Sequence, residues 1–401
     1  MKIGILATDF INWSGGVDFL RLVIDSLLAS PRSRGVEFHL LIPDAGPRLA
    51  WRRVRRGAKQ AMRSLFSGAA PSPQHPSPPE ATYQAFAEFR GRITVQHIDI
   101  GRHARSRAVC RLGLDVILPA LHSLRPGFPC PWVGYAYDFQ HKYLPQYFTP
   151  DECRSRDEHF AEMLTQCRAL IVNSRAAAAD IAKFVPQATA QVFALPFAPA
   201  PCADWLEDCP EVLPRYGITQ PFFIISNQFW SHKGHATAFE AFRLVAQQDA
   251  NLRLVCTGST EDARNPDHFP GLLARLKSWS LEQRVHILGL IPKRDQIELM
   301  KQACAVIQPT LFEGGPGGGA VYDAVSLDLP AIVSDIPVNR EVDGTAIEFF
   351  PVGDAVALAG KMQARLLAPH TRGLRSELIS QGRCRRVACG NMLWDAVDCV
   401  L

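Results

Sequence analysis

The sequence predicts an α/β protein of two doubly wound domains, each built on a parallel sheet. Three observations predict it. Short apolar runs of strand length alternate with helix-length amphipathic stretches in both halves of the chain. Pro196, Pro199, Pro201 and Pro210 cluster between the halves, a linker signature. Glycine-bearing turns follow strand-like runs, at the carboxyl ends where such sheets bind ligands. A chain of 401 residues, 47% of them hydrophobic, is long enough for more than one core. The expected division is a first domain over 1–200 and a second over 211–383. A final helix over 384–401, with Met392, Leu393, Trp394 and Val397 on one face, packs back toward the first domain.

The elements follow in order. Ile3 to Ala7 reads as a strand, followed by a loop with Gly15 and Gly16 and a helix from Val17 to Leu28. Val36 to Pro43, Ile93 to Ile98 and Asp115 to Leu118 read as strands. Between the first and second of these lies a basic amphipathic segment, 51–66. Its charges are Arg52, Arg53, Arg55, Arg56, Lys59 and Arg63. It is read as a solvated helix face or as a segment lying on an anionic membrane surface. A proline-rich loop, 71–80, follows it. The stretch from 132 reads as a strand ending in Asp138 and His141. Ala169 to Asn173 is a strand, and Ser174 caps the next helix.

The second half restarts the pattern. Phe222 to Ser226 is a strand, followed by NQFWSHKGH and a helix from Ala236 to Val245. Lys233 stands just before that helix, where a cation meets phosphate beside a helix N-terminus. Strands at Leu252 to Thr257 and Val285 to Leu288 and a helix at Arg294 to Ala303 lead to the most informative stretch, 304–342. There an apolar run, Ala305 to Phe312, ends in Glu313. A cluster of Gly314, Gly315, Gly317, Gly318 and Gly319 follows, then a helix-like stretch carrying Asp323, then a second apolar run from Pro330 to Val333. The glycines let backbone approach a ligand, and the helix behind them offers unpaired N–H groups. Two flanking carboxylates are acceptors suited to sugar or ribose hydroxyls. The plainer reading is a buried turn whose glycines serve packing alone.

Composition excludes some classes. A net charge of +4 is too small to indicate nucleic acid as a partner. Eleven scattered cysteines, with no C-x-x-C pair, fit a reducing cytoplasm. The apolar start is too short for a signal peptide, and no run approaches a membrane span. No Asp-x-Asp triplet occurs, which removes the usual metal carboxylates beside a nucleotide diphosphate, and no Walker phosphate loop occurs. Gly315, Gly317 and Ala320 imitate a dinucleotide fingerprint, with Asp335 twenty residues past Gly315. Pro316 removes a donor from that cradle, and the unit stands late in its series of strands.

The stretch FEGGPGGGAVYDAVSLDLPAIVSDIPVNRE resembles the donor-sugar loop of glycosyltransferase family 4. The Gly15–Gly16 loop, the DFQH segment at 138–141 and NQFWSHKGH at 227–235 agree in order with it. The resemblance implies the GT-B fold: two Rossmann-like domains facing across a cleft. It also implies a retaining transferase that needs neither metal nor cofactor. Such an enzyme moves a hexose, mannose by preference, from a nucleotide diphosphate sugar to a glycan or lipid-linked acceptor in surface polysaccharide synthesis. A cytoplasmic location, peripheral to the membrane, goes with that role.

By this resemblance Glu313 contacts the donor sugar and Asp323 the ribose. Lys233 and the position of Gln228 hold the diphosphate, and His141 faces the sugar from the first domain. Gly15, Gly16, Gly315, Gly317, Gly318 and Gly319 line the donor. Two departures stand out. The family usually places seven residues between its two acids, and here nine intervene; the basic partner of its lysine is replaced by Gln228. Two other classes stay open: a nucleotide-sugar-binding protein without turnover, and a nicotinamide-dependent oxidoreductase.

Overall fold

A computed structural model describes residues 1–11, 14–44, 85–99, 102–368 and 370–401. The basic segment 51–66 and the proline-rich loop lie outside the described residues. Among the described residues, two all-parallel sheets carry the fold. The first has seven strands in the order β3-β2-β1-β4-β5-β6-β7. These are β1 (Lys2–Leu6), β2 (Glu37–Pro43), β3 (Thr94–Ile98), β4 (Val116–Ala120), β5 (Trp132–Ala136), β6 (Ala169–Val172) and β7 (Gln191–Ala194). The second has six in the order β10-β9-β8-β11-β12-β13. These are β8 (Phe222–Ser226), β9 (Arg253–Thr257), β10 (Val285–Gly289), β11 (Val306–Gln308), β12 (Ala331–Ser334) and β13 (Ile347–Phe350). Both orders reverse direction at one point, between β1 and β4 and between β8 and β11, so the predicted doubly wound architecture is the one observed.

The strands are nearly continuous apolar runs because helices cover both faces of each sheet. In the first domain, α1 (Ser14–Ala29) and the last helix cover one face. On the other lie α2 (Arg102–Leu112), α3 (Pro150–Gln166) and α4 (Arg175–Phe184). In the second domain, α5 (His235–Ala246), α6 (His268–Ser278) and α9 (Ala355–Leu367) pack on one face. Helices α7 (Lys293–Gln302) and α8 (Gly318–Ser326) pack on the opposite one.

The last helix, α10, runs from Arg375 to Val400 and is one continuous element. Its second half places Cys389, Leu393, Trp394, Val397 and Val400 in the core of the first domain. Trp394, 2% exposed, donates its indole N–H to Leu27 O at 3.4 Å. The linker is not loose either. Phe197, Cys209 and Val212 enter the core of the second domain, and Lys301 is buried between Glu298 and Asp208 in an ionic cluster beside it. Among the described residues, no helix is long and apolar enough to cross a membrane.

Candidate active site

The site grows from the switch point of the second sheet. Strands β8 and β11 are neighbours there, so the segments leaving their carboxyl ends run side by side. The two segments are laced together. Leu311 N–H donates to His232 O at 2.8 Å, and the Thr310 hydroxyl lies 3.2 Å from the same oxygen. Lys233, from the first segment, and Glu313, from the second, therefore meet. Lys233 Nζ donates to Glu313 Oε1 at 2.6 Å, and Gln308 Nε2 donates to that oxygen at 3.0 Å. Gln308 is fully buried and is itself oriented by Asn227, whose side-chain amide donates to Gln308 Oε1. The ion pair is sheltered: the two side chains are 9% and 10% exposed.

Glycines then shape the loop. Gly314 passes so close to the first domain that a Cβ on it would stand 2.5 Å from Tyr137 O. Gly317 has φ +66 and precedes α8, a left-handed position where a side chain would also run into Val321. The first turn of α8 lies beside Glu313, since a Cβ on Gly318 would stand 3.2 Å from its carboxylate. An anion there is favoured by the helix N-terminus. Gly315 lies against Asn173, and Gly319 is exposed. The dinucleotide reading of this loop loses its donor as well as its position. The Gly317 N–H, which a pyrophosphate would need, donates to Asn339 Oδ1 at 2.9 Å.

Asp323 sits inside α8, 6% exposed, and forms an ion pair with Lys293 at the start of α7. Burial raises its carboxyl above the ordinary range, while Lys293 pulls it back down. Two histidines flank Lys233. Burial lowers His232 to about 3, with the Lys233 charge next in effect, and burial lowers His235 to about 3 as well. Both are neutral at pH 7. Gln228 is half-buried, on the stretch that runs past Gly258 at the end of β9.

The first domain differs from the expectation in two places. Gly15 and Gly16 do not form a loop before α1. They lie in its first turn, where backbone N–H groups have no helical partner and glycine is tolerated. Strand β5 ends at Ala136, and His141 lies on a short helical turn, Gln140–Tyr143. Its side chain has no exposure. Arg156 Nε donates to His141 Nδ1 at 3.1 Å, which leaves Nε2–H to donate to Asp157 Oδ1 at 2.8 Å. With both nitrogens engaged below the surface, the imidazole does not face a sugar in this conformation. Burial also lowers its pKa, against the Asp157 bond. Helix α3 sets this arrangement. Its Thr149–Glu152 capping box fixes the start, and Arg156 and Asp157 follow on its second turn.

Several site residues carry weak signals in sequence. Gln308 is a polar residue in an apolar strand, and Asn227 lies within NQFWSHKGH. Lys293, Asn339, Arg156 and Asp157 have no motif that singles them out.

Comparison with known proteins agrees with this geometry. Residues 214–384 match the family model for glycosyl transferases group 1. A search of curated proteins found no match. Among solved structures, sucrose-phosphate synthase from Thermosynechococcus elongatus is similar, with a TM-score of 0.63 and 15% identity over 99% of this chain and 97% of that one. HepE of Anabaena, in complex with UDP and glucose, matches with a TM-score of 0.58 and 14% identity over 100% and 97%. The trehalose-6-phosphate phosphatase N-terminal domain of Candida albicans matches with 0.60 and 11% over the same shares. At these identities the likeness speaks for the fold, and the family model speaks for the chemistry. The second domain belongs to the glycosyl transferases group 1 family, and the chain is a glycosyltransferase of the GT-B fold.

Proposed function

We propose that the chain is a retaining, metal-independent hexosyltransferase. It takes a sugar from a nucleotide diphosphate donor and passes it to a glycan or lipid-linked glycan in surface polysaccharide synthesis. The observation that carries this reading is the sheltered Lys233–Glu313 pair at the switch point, beside the first turn of α8. Among the described residues, both side-chain bonds to Glu313 fall on Oε1. Its Oε2 is then the acceptor for a sugar hydroxyl. Lys233 and the N-terminus of α5 stabilise the growing charge of the leaving diphosphate without a metal. Asp323, assigned to the ribose, exchanges Lys293 for hydroxyl donors when a nucleotide enters.

In the transfer, the bond between the anomeric carbon and the phosphate oxygen breaks. The bond from the acceptor oxygen forms on the same face, and the acceptor's proton passes to the departing phosphate. No side chain is assigned as a covalent nucleophile, and His141 is assigned to holding Arg156 and Asp157 in place.

Mannose on a GDP carrier is the first donor to test, on the strength of the family resemblance. UDP-glucose is the second, because HepE of Anabaena, which shares the fold, is solved in complex with it. Thermal shifts with GDP, UDP, dTDP and ADP identify the base. Product formation from a donor panel in the presence of EDTA then tests turnover without metal. Lys233→Ala is expected to weaken nucleotide-sugar binding by about 1.5–3 kcal/mol, one charged hydrogen bond. Unchanged affinity in that variant removes Lys233 from the site. Gln228 in place of the family's second cation favours one rival, a binding protein without turnover. Donor binding with no product from any acceptor is the result that selects it.

A further inference from the structure

The cleft is closed by a contact that the proposed donor site does not use. Helix α4 begins at the cleft, with Ser174 as its cap. The Ser174 hydroxyl accepts from Ala177 N–H at 3.0 Å and donates to Gly314 O, in the donor loop of the other domain, at 3.3 Å. The first two N–H groups of the helix have no acceptor within it. Both are taken across the cleft by one carboxylate. Arg175 N–H donates to Glu341 Oε2 at 2.9 Å, and Ala176 N–H donates to Glu341 Oε1 at 2.8 Å. The Glu341 side chain is 13% exposed, whereas that of Arg175 is 79% exposed. The backbone N–H pair and the helix dipole therefore hold the carboxylate, and the Arg175 guanidinium adds little.

Glu341 ends a short 3-10 turn, Pro337–Glu341, that has a second grip. Asn339, fully buried in the same turn, accepts from Gly317 N–H through Oδ1 and donates to Ser334 O at 2.8 Å. One hydrogen-bonded turn thus holds the donor loop through Asn339 and the first domain through Glu341. Gly314, which has no room for a side chain against Tyr137, lies at the point where the two meet.

We propose that Glu341 is a positioning residue for transfer: by capping α4 from the opposite domain, it ties closure of the cleft to the placement of the donor loop. This rests on the reading that the donor occupies the cleft. Donor-binding groups such as Lys233 stay on the second domain when the contact is lost. The cost falls on turnover and on exclusion of water, not on donor affinity.

The test uses two variants of the full chain, one on each side of the contact. Glu341→Gln keeps the shape and loses the charge. Arg175→Pro removes one N–H at the first helical position, where proline is tolerated and where the preceding Ser174 is already extended. Circular dichroism confirms that each variant is folded. Each is expected to lower kcat about tenfold or more, with donor KM within about threefold of wild type. Each also raises donor hydrolysis relative to transfer and enlarges the radius of gyration measured by X-ray scattering without ligand. The double variant is expected to be no worse than the poorer single one, because both remove the same contact. Unchanged scattering, or additive losses, overturns the proposal. If the wild-type chain binds no nucleotide sugar, the donor reading fails, while the scattering comparison still decides whether Glu341 closes the cleft.

Discussion

Two acids flank the donor loop, and each has a lysine, yet the pairs differ in kind. Glu313 and Lys233 are both about nine-tenths buried. Asp323 is similarly buried, but its partner Lys293 is 44% exposed. The first pair is a sealed unit: neither charge is well solvated, so each depends on the other. The second is a buried acid neutralised by a lysine that water also solvates. The two ends of the donor would therefore be treated differently. The sugar end meets groups fixed before it arrives. The ribose end meets an acid whose present partner can swing away.

The largest effect is expected of Glu313→Gln. A sealed pair that loses one member strands a buried ammonium, at a cost of about 3–5 kcal/mol in stability. Transfer activity is expected to fall by about 100-fold or more, the scale seen when one preorganised site group is removed. Melting curves and kcat together check this. A variant as stable and as active as wild type sinks the idea that the pair is sealed and that Glu313 holds the sugar. The stability loss also matters for interpretation, because the pair makes Glu313 part of the fold as well as part of the site.

The fold was legible because its signals are local. The apolar runs at 222–225 and 254–256 are uninterrupted, and the FEGGPGGG loop carries both the turn chemistry and an acid within a few residues. The parts that sequence did not reveal depend on approach between distant segments. Lys293 reaches Asp323 because α7 and α8 pack on the same face of the sheet, a fact of topology rather than of spacing. The sense in which His141 points is set by Arg156 and Asp157, which α3 brings back beneath it. A DFQH motif says that a histidine follows the strand, but not which way the ring turns. Strand β7, just ahead of the proline cluster, carries no strand signal of its own in the sequence, since its four residues, QVFA, lack a distinct apolar run.

A smaller effect separates the second pair from the first. Lys293→Met is expected to change nucleotide binding at pH 7 by no more than about 1 kcal/mol, because the ammonium is partly open to water. Its pH dependence is more telling. Burial already raises the Asp323 carboxyl, and Lys293 opposes that. Without the lysine the carboxyl rises further, so nucleotide affinity falls on acidification from a higher pH than in wild type. Stability moves in the opposite sense. A raised carboxyl means that the folded chain binds its proton more tightly than the unfolded chain does, so the variant loses stability as pH rises above the ordinary carboxylate range. Titration calorimetry across a range of about pH 5 to 8 reads the first effect. Superimposable curves for the two proteins would show that Lys293 does nothing for Asp323.

A last effect concerns the sealed end alone and involves no ligand. His235 is fully buried and stacks on Phe229 with ring centroids 4.1 Å apart, and neither of its nitrogens has a hydrogen-bond partner among the described residues. Burial, the neighbouring His268 and Lys233 hold it down to about 3, and His232 is held down beside it. An unfolded histidine binds a proton near pH 6.5, so between 6.5 and about 3 the unfolded chain takes up protons that the folded chain refuses. Stability therefore rises with pH in that window and is lost on acidification, by up to about 1.4 kcal/mol per pH unit for each histidine. His235→Leu keeps much of the volume, removes one titrating group and is expected to halve the slope that these two histidines supply, leaving His232 to provide the rest. Urea midpoints at about pH 6.5, 5.5 and 4.5 measure it. A slope unchanged by the substitution would mean that His235 reaches water or an acceptor, and the shelter argued for Lys233 next to it would then have to be abandoned too.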